Sequence, residues 1–192
     1  MRPHDFRERG FTLIEMLLTV AIVAIISGIA VPLLADVAGN IKLGDAARTV
    51  ERELQTARLT AVSTNTPMRM QFNCPTAGTF RITELIGTPK VPAAADTAVD
   101  RCSLASYPYP GDTDKNALTR PNKDGPLRTL DSTVTITTAM TIEFWPDGSA
   151  HTDTGGTNPW PPIAGTGYTI TLTRKGVNKT ILVNGVGKIQ IQ

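Results

Sequence analysis

From residue 11 to residue 35 the chain is apolar for about 25 positions, broken only by Thr12, Glu15, Thr19, Ser27, Gly28 and Pro32. As an α-helix, at about 1.5 Å per residue, that run reaches about 37 Å, enough to cross a hydrocarbon core of about 30 Å. A chain with such a segment must bury it in lipid or among other helices, and this governs everything that follows. Residues 1–10 are polar, with Arg2, Arg7 and Arg9 set against Asp5 and Glu8. Because basic residues precede the run and no Lys or Arg cluster follows it closely, the positive-inside rule puts the N-terminus in the cytoplasm and the chain beyond residue 36 outside. A secretory signal peptide carries its cleavage site after the apolar segment, whereas the natural break here, Gly10–Phe11, precedes it. The expected organisation is a cleaved leader (1–10), a transmembrane helix segment (11–35) and an exported globular domain (36–192).

Glu15 does not fit a plain anchor. A carboxylate in a membrane helix costs about 2.5–3.5 kcal/mol near the centre and less near an end, so it calls for a partner. Cleavage between Gly10 and Phe11 would create an amine one helical turn before Glu15, or beside the Glu15 of a neighbouring subunit. The stretch Arg9-Gly10-Phe11-Thr12-Leu13-Ile14-Glu15-Met16-Leu17 resembles the class III signal of type IV pilins and type II secretion pseudopilins. That resemblance implies cutting after Gly10 by a prepilin peptidase, N-methylation of Phe11, and a role for Glu15 in assembly. It also implies the partners: other pilin or pseudopilin subunits, an inner-membrane assembly platform, and membrane lipid before assembly.

Beyond the apolar run, Leu43, Ala47, Val50, Leu54, Ala57 and Ala61 recur at steps of four and three, one face of a helix that continues into the exported domain. Lys42, Asp45, Arg48, Glu51, Arg52 and Arg58 mark its opposite face, and Ser63, Asn65 and Pro67 its stop. One helix is expected over residues 12–63, loosened at Gly28, Pro32, Gly39 and Gly44. After Pro67, alternating segments at 68–72, 80–86, 134–138, 141–145, 168–174, 179–183 and 188–191 read as strands, with turns at Pro146-Asp147-Gly148, Lys175-Gly176 and Asn184-Gly185. Residues 87–130 show no sustained period and read as a long surface loop. The fold class is therefore α+β, and the resemblance implies a pilin-like arrangement: a long N-terminal helix, its first half transmembrane and in the filament core after assembly, packed on an antiparallel β-sheet. Cys74 and Cys102 have no zinc-ligand spacing. In an oxidising compartment, a bridge between them would close a loop of about 29 residues, worth about 3.5 kcal/mol by chain entropy. Two separate buried thiols are the alternative.

A second resemblance is spread over residues 54–192. Leu54-x-x-Ala57-Arg58, Asn65-Thr66-Pro67, Phe144-x-x-Asp147-Gly148 and Asn184-Gly185-x-Gly187 are similar to the GspH/FimT-like minor pilins and pseudopilins. The function implied is a structural subunit that initiates, caps or joins a type IV pilus or a type II secretion pseudopilus. The alternative is a DNA-binding minor pilin for DNA uptake. With 19 Lys plus Arg against 17 Asp plus Glu, global charge gives no pull toward nucleic acid. From residue 154 onward, however, there is no acid, and Arg174, Lys175, Lys179 and Lys188 are the candidate phosphate contacts. DNA-binding relatives carry Gly-Arg-x-Arg near the C-terminus, and Gly187-Lys188-Ile189-Gln190 keeps only one of the two cations. His151, flanked by Asp147 and Asp153, reads as a solvated polar residue. Asp112-Thr113-Asp114 opens like a calcium loop but lacks the glycine and the final glutamate, with Ala117 and Lys123 in their places. No enzyme motif, metal site or cofactor is expected.

Overall fold

A computed structural model describes residues 11–88, 91–110, 121–138, 141–153 and 160–192. The candidate calcium loop at Asp112 and Asp114 and the leader with Gly10 lie outside the described residues. Two compact units divide the chain, the first ending at Asn40 and the second spanning Ile41–Gln192. Helix α1, Leu13–Thr64, supplies the first unit and enters the second. It remains helical through positions 28, 32, 39 and 44, where glycine and proline were expected to loosen it.

At the start of α1, Thr12 is the cap. Its side-chain oxygen accepts from the Glu15 N–H at 3.3 Å, and its carbonyl from the Met16 N–H at 3.2 Å. None of the described side chains from 11 to 38 is buried, and the most hydrophobic window has a mean hydropathy of 2.7. The helix ends at Thr64 because Asn65 takes a left-handed backbone (φ 51°) and Thr66 N–H returns to the Ala61 carbonyl at 3.2 Å. That is a Schellman stop, made with the non-glycine residue best suited to it, and Pro67 follows.

In the second unit, Leu43, Ala46, Ala47, Val50, Leu54, Ala57 and Ala61 are buried, as the helical period requires. They pack on two antiparallel sheets where one was expected. The first has the order β3-β2-β1-β5-β6, from β1 (Met68–Phe72), β2 (Thr79–Glu84), β3 (Arg128–Thr129), β5 (Ile142–Phe144) and β6 (Ala150–Thr152). The second has the order β4-β7-β8-β9, from β4 (Thr135–Thr138), β7 (Tyr168–Arg174), β8 (Val177–Val183) and β9 (Ile189–Ile191). Strand alternation sends Met68, Met70, Phe80, Ile82, Ile142 and Phe144 from one sheet, and Ile136, Ile170, Leu172, Ile181 and Val183 from the other, into one core with the helix face. Strands β3 and β6 escaped sequence reading because neither Arg128-Thr129 nor Ala150-His151-Thr152 alternates large apolar with polar residues.

Residues 87–130 are not simply a surface loop. Their described part folds over the outward face of β1, β2 and β5, where Arg69, Arg81, Thr83 and Glu143 are all buried. Cys102 meets Cys74 there in a disulfide, with Cα atoms 5.7 Å apart. Arg69 pairs in register with Glu143 on the neighbouring strand, Nη2 to Oε1 at 2.6 Å, and donates from Nη1 to the Asp96 carbonyl at 2.8 Å. The Asp96 carboxylate accepts the N–H groups of Ile86, Gly87 and Ala93. Arg101 grips Asp124 with both terminal nitrogens and donates to the Glu84 carbonyl at 2.8 Å. The side of the sheet that alternation assigns to water is thus a buried ionic layer under a stapled strap.

Candidate functional site

The N-terminal end of α1 places Phe11 and Glu15 together. With Thr12 as the cap, Glu15 is the third helical residue, a position where a carboxylate complements both the unpaired N–H groups and the positive end of the helix dipole. Phe11, Leu13 and Ile14 are each at least 75% exposed, so this acid sits among apolar side chains that their own unit leaves largely uncovered. At this position a carboxylate can pair with a cationic group that approaches the start of the helix. Gly10, on the other side of the expected cut, lies outside the described residues.

A second convergence involves Arg58. From the helix face, its Nε donates to the Gly148 carbonyl at 3.1 Å and its Nη2 to the Val186 carbonyl at 3.3 Å. Gly148 (φ 82°) and Gly187 (φ 74°) meet there so closely that a Cβ on Gly187 would stand 2.3 Å from the Gly148 oxygen and 2.5 Å from Arg58 Nε. The three sequence fragments around Leu54–Arg58, Asp147-Gly148 and Asn184–Gly187 therefore share one site, where a guanidinium ties the helix to a turn of each sheet. This site is architectural.

His151 is buried rather than solvated, correcting the sequence reading. Its ring stacks on Trp145 with centroids 3.6 Å apart, its Nδ1 lies 3.0 Å from the Trp160 carbonyl and its Nε2 lies 2.8 Å from Ser149 Oγ. Burial holds the imidazole pKa below its ordinary value, against the opposing pull of the Trp160 carbonyl and Asp147. The Asp147 carboxylate bonds to Ser149 instead of to the ring, so the order is acid, hydroxyl, imidazole. A hydrolytic triad needs the acid on the far side of the histidine, and that nitrogen is occupied by a backbone carbonyl.

Residues 5–31 match the family model described as the prokaryotic N-terminal methylation motif. Over that stretch, which takes in Phe11 and Glu15, the chain carries this motif. No curated protein sequence matches it. Among solved structures, two crystal forms of the type IV minor pilin FimU from Pseudomonas aeruginosa (strain PAO1) are similar. One is 16% identical, covering 78% of this chain and 92% of that one with a TM-score of 0.45. The other is 15% identical, covering 80% and 90% with a TM-score of 0.46.

The chain divides its four C-terminal cations between two places. Arg174, Lys175 and Lys179 cluster at the β7–β8 hairpin turn, where Arg174 pairs with Val177 and Leu172 with Lys179. Lys188 lies beyond Val183, at the other end of β8, which at about 3.3 Å per residue is about 20 Å away. Among the described residues there is no group of three metal-binding side chains. Sequence reading missed the buried Arg69, Arg81 and Arg101. The available signal was the alternation of Met68-Arg69-Met70 and Phe80-Arg81-Ile82, with Glu143 similarly placed between Ile142 and Phe144.

Proposed function

We propose that this chain is a membrane-held subunit of a type IV pilus or a related secretion pseudopilus, of the minor-pilin kind. The observation that carries it is the division within α1: no described side chain from 11 to 38 is buried, whereas from Leu43 onward one face is wholly covered. An apolar helix with no covered face has no stable place in water, since each large side chain left exposed forgoes about 1.5–3 kcal/mol. Lipid and like helices cover it equally well, so the exchange of one for the other is decided by smaller, specific terms. The pairing of Glu15 with the Phe11 amine of a neighbour is such a term.

In this reading, a prepilin peptidase removes residues 1–10 and Phe11 becomes N-methylated. The new N-terminus faces the cytoplasm, and residues 41–192 stand on the far side of the bacterial inner membrane. The disulfide supports that oxidising compartment. Other pilin-like subunits and the inner-membrane assembly platform are the partners, and no catalytic role is assigned. Mass spectrometry of the chain purified from membranes tests the reading. A species beginning at Phe11 with one added methyl group is expected, whereas an intact leader, or cleavage after Ser27 or Ala30, overturns it.

A further inference from the structure

The β7–β8 hairpin ends in a two-residue turn with both residues left-handed, Lys175 at φ 48° and Gly176 at φ 80°. Such type I′ turns favour Asn, Asp or Gly at the first position, because the left-handed backbone strains a Cβ, which Gly lacks and which the short polar side chains of Asn and Asp offset by local hydrogen bonds. A lysine is thus kept where the backbone prefers another residue, beside the exposed Lys179 and a Val177 that is 48% exposed. The place of this tip in the fold is fixed by a chain of polar contacts. Lys42 Nζ meets Asp131 Oδ2 at 2.9 Å, Thr133 Oγ1 donates to Asp131 Oδ1 at 2.6 Å, and Arg174 Nε donates to Thr133 Oγ1 at 3.1 Å. The basic tip therefore belongs to the end of the second unit at which α1 enters it. Along the helix, Lys42 lies only about 10 Å beyond residue 35, the end of the apolar run.

Among the described residues, the acids at this end do not cancel the charge. Asp131 is matched by Lys42, and the next helical acid, Asp45, by Arg48 at 3.6 Å. Even with Asp36 counted beside Asp131, the cations Lys42, Arg174, Lys175 and Lys179 exceed the carboxylates by two. We propose that the tip of the β7–β8 hairpin, with Lys175, Lys179, Arg174 and the apolar Val177, rests on anionic phospholipid headgroups while the subunit waits in the membrane. This rests on the membrane-held reading above. Lipid is favoured over nucleic acid because the tip shares its end of the second unit with Lys42, which follows the apolar run closely along the chain, and carries an exposed valine among its cations. A positive charge at an anionic surface favours contact about fivefold, and the effect fades within a Debye length.

The test uses the full chain in vesicles of phosphatidylcholine, with or without phosphatidylglycerol. A membrane-impermeant amine-acylating reagent is applied, and each lysine is read by mass spectrometry. Lys188, at the opposite end of β8, is the internal reference. Acylation of Lys175 and Lys179 relative to Lys188 is expected to fall about fivefold in the anionic vesicles and to recover in about 0.5 M salt. In Lys175→Asn, which suits the turn and removes one charge, the protection of Lys179 should shrink. Equal ratios in both lipids, in a chain that floats with the vesicles, overturn the proposal while leaving the membrane-held reading intact. A chain that does not float overturns both. Protection by added duplex DNA without protection by anionic lipid marks a nucleic-acid contact and also overturns it.

Discussion

Glu15 stands at the third position of α1 with its backbone N–H capped by Thr12, so its carboxylate is favoured by the helix end that carries it and penalised by the apolar surroundings. Glu15→Leu should enter the membrane at least as well as wild type, since it removes the penalised charge. Assembly should nevertheless fall, because a cation buried without its partner costs about 3–5 kcal/mol, more than about a hundredfold in association if fully expressed. Comparing wild type and variant in sheared filaments, or in crosslinked complexes with other pilins, measures this; equal entry denies Glu15 an assembly role. His151 offers a test of a different kind. Burial depresses its pKa below the unfolded value, so the unfolded chain binds the proton more readily. Its contribution to stability is therefore complete above about pH 6.5 and is lost as pH falls below that. His151→Phe keeps an aromatic ring against Trp145, and its urea midpoint should vary less between about pH 7 and pH 5 than that of wild type.

The strap over β1, β2 and β5 is the element whose stability is most open to measurement. Its disulfide closes a loop with a sequence separation of 28. Replacing Cys74 and Cys102 together by serine should cost about 2–4 kcal/mol, read as a lower denaturation midpoint under non-reducing conditions. If both thiols of the wild-type chain react with alkylating reagent and the midpoint is unchanged, the bond is absent in solution. This is also the element the sequence conceals. Helix α1 was legible because Leu43 to Ala61 repeats with the helical period, and β1, β7 and β8 were legible because apolar residues alternate between turn signals. Alternation says only that Arg69, Arg81 and Glu143 point away from the core, and water is the ordinary occupant of that side. Protein covers it here because Asp96, Arg101 and Asp124 supply the missing partners from segments without periodicity, and no local pattern announces such a match. Arg58 was visible within a motif, yet its role depends on carbonyls 90 and 128 residues away.

The division at Asn40 and Ile41 separates what needs lipid or neighbours from what carries its own core. A fragment of residues 41–192 should run as a soluble monomer in gel filtration and unfold in one cooperative step, since Leu43 and every later core residue remain. Aggregation of that fragment under oxidising conditions would show that the apolar segment also shields the globular unit. Arg58 has a further consequence, which concerns timing. Synthesis delivers the helix first, with Leu43, Val50 and Leu54 already on one face, but the strands that cover them run to Val183 and the last tie to Arg58 is the carbonyl of Val186. Contacts between the two ends of a chain close late, and the surface awaiting them is exposed to aggregation in the interval. For nearly the whole of its synthesis the domain is an open half-core on a tether. A membrane anchor made before the domain holds each such chain apart from its siblings until its final residues arrive.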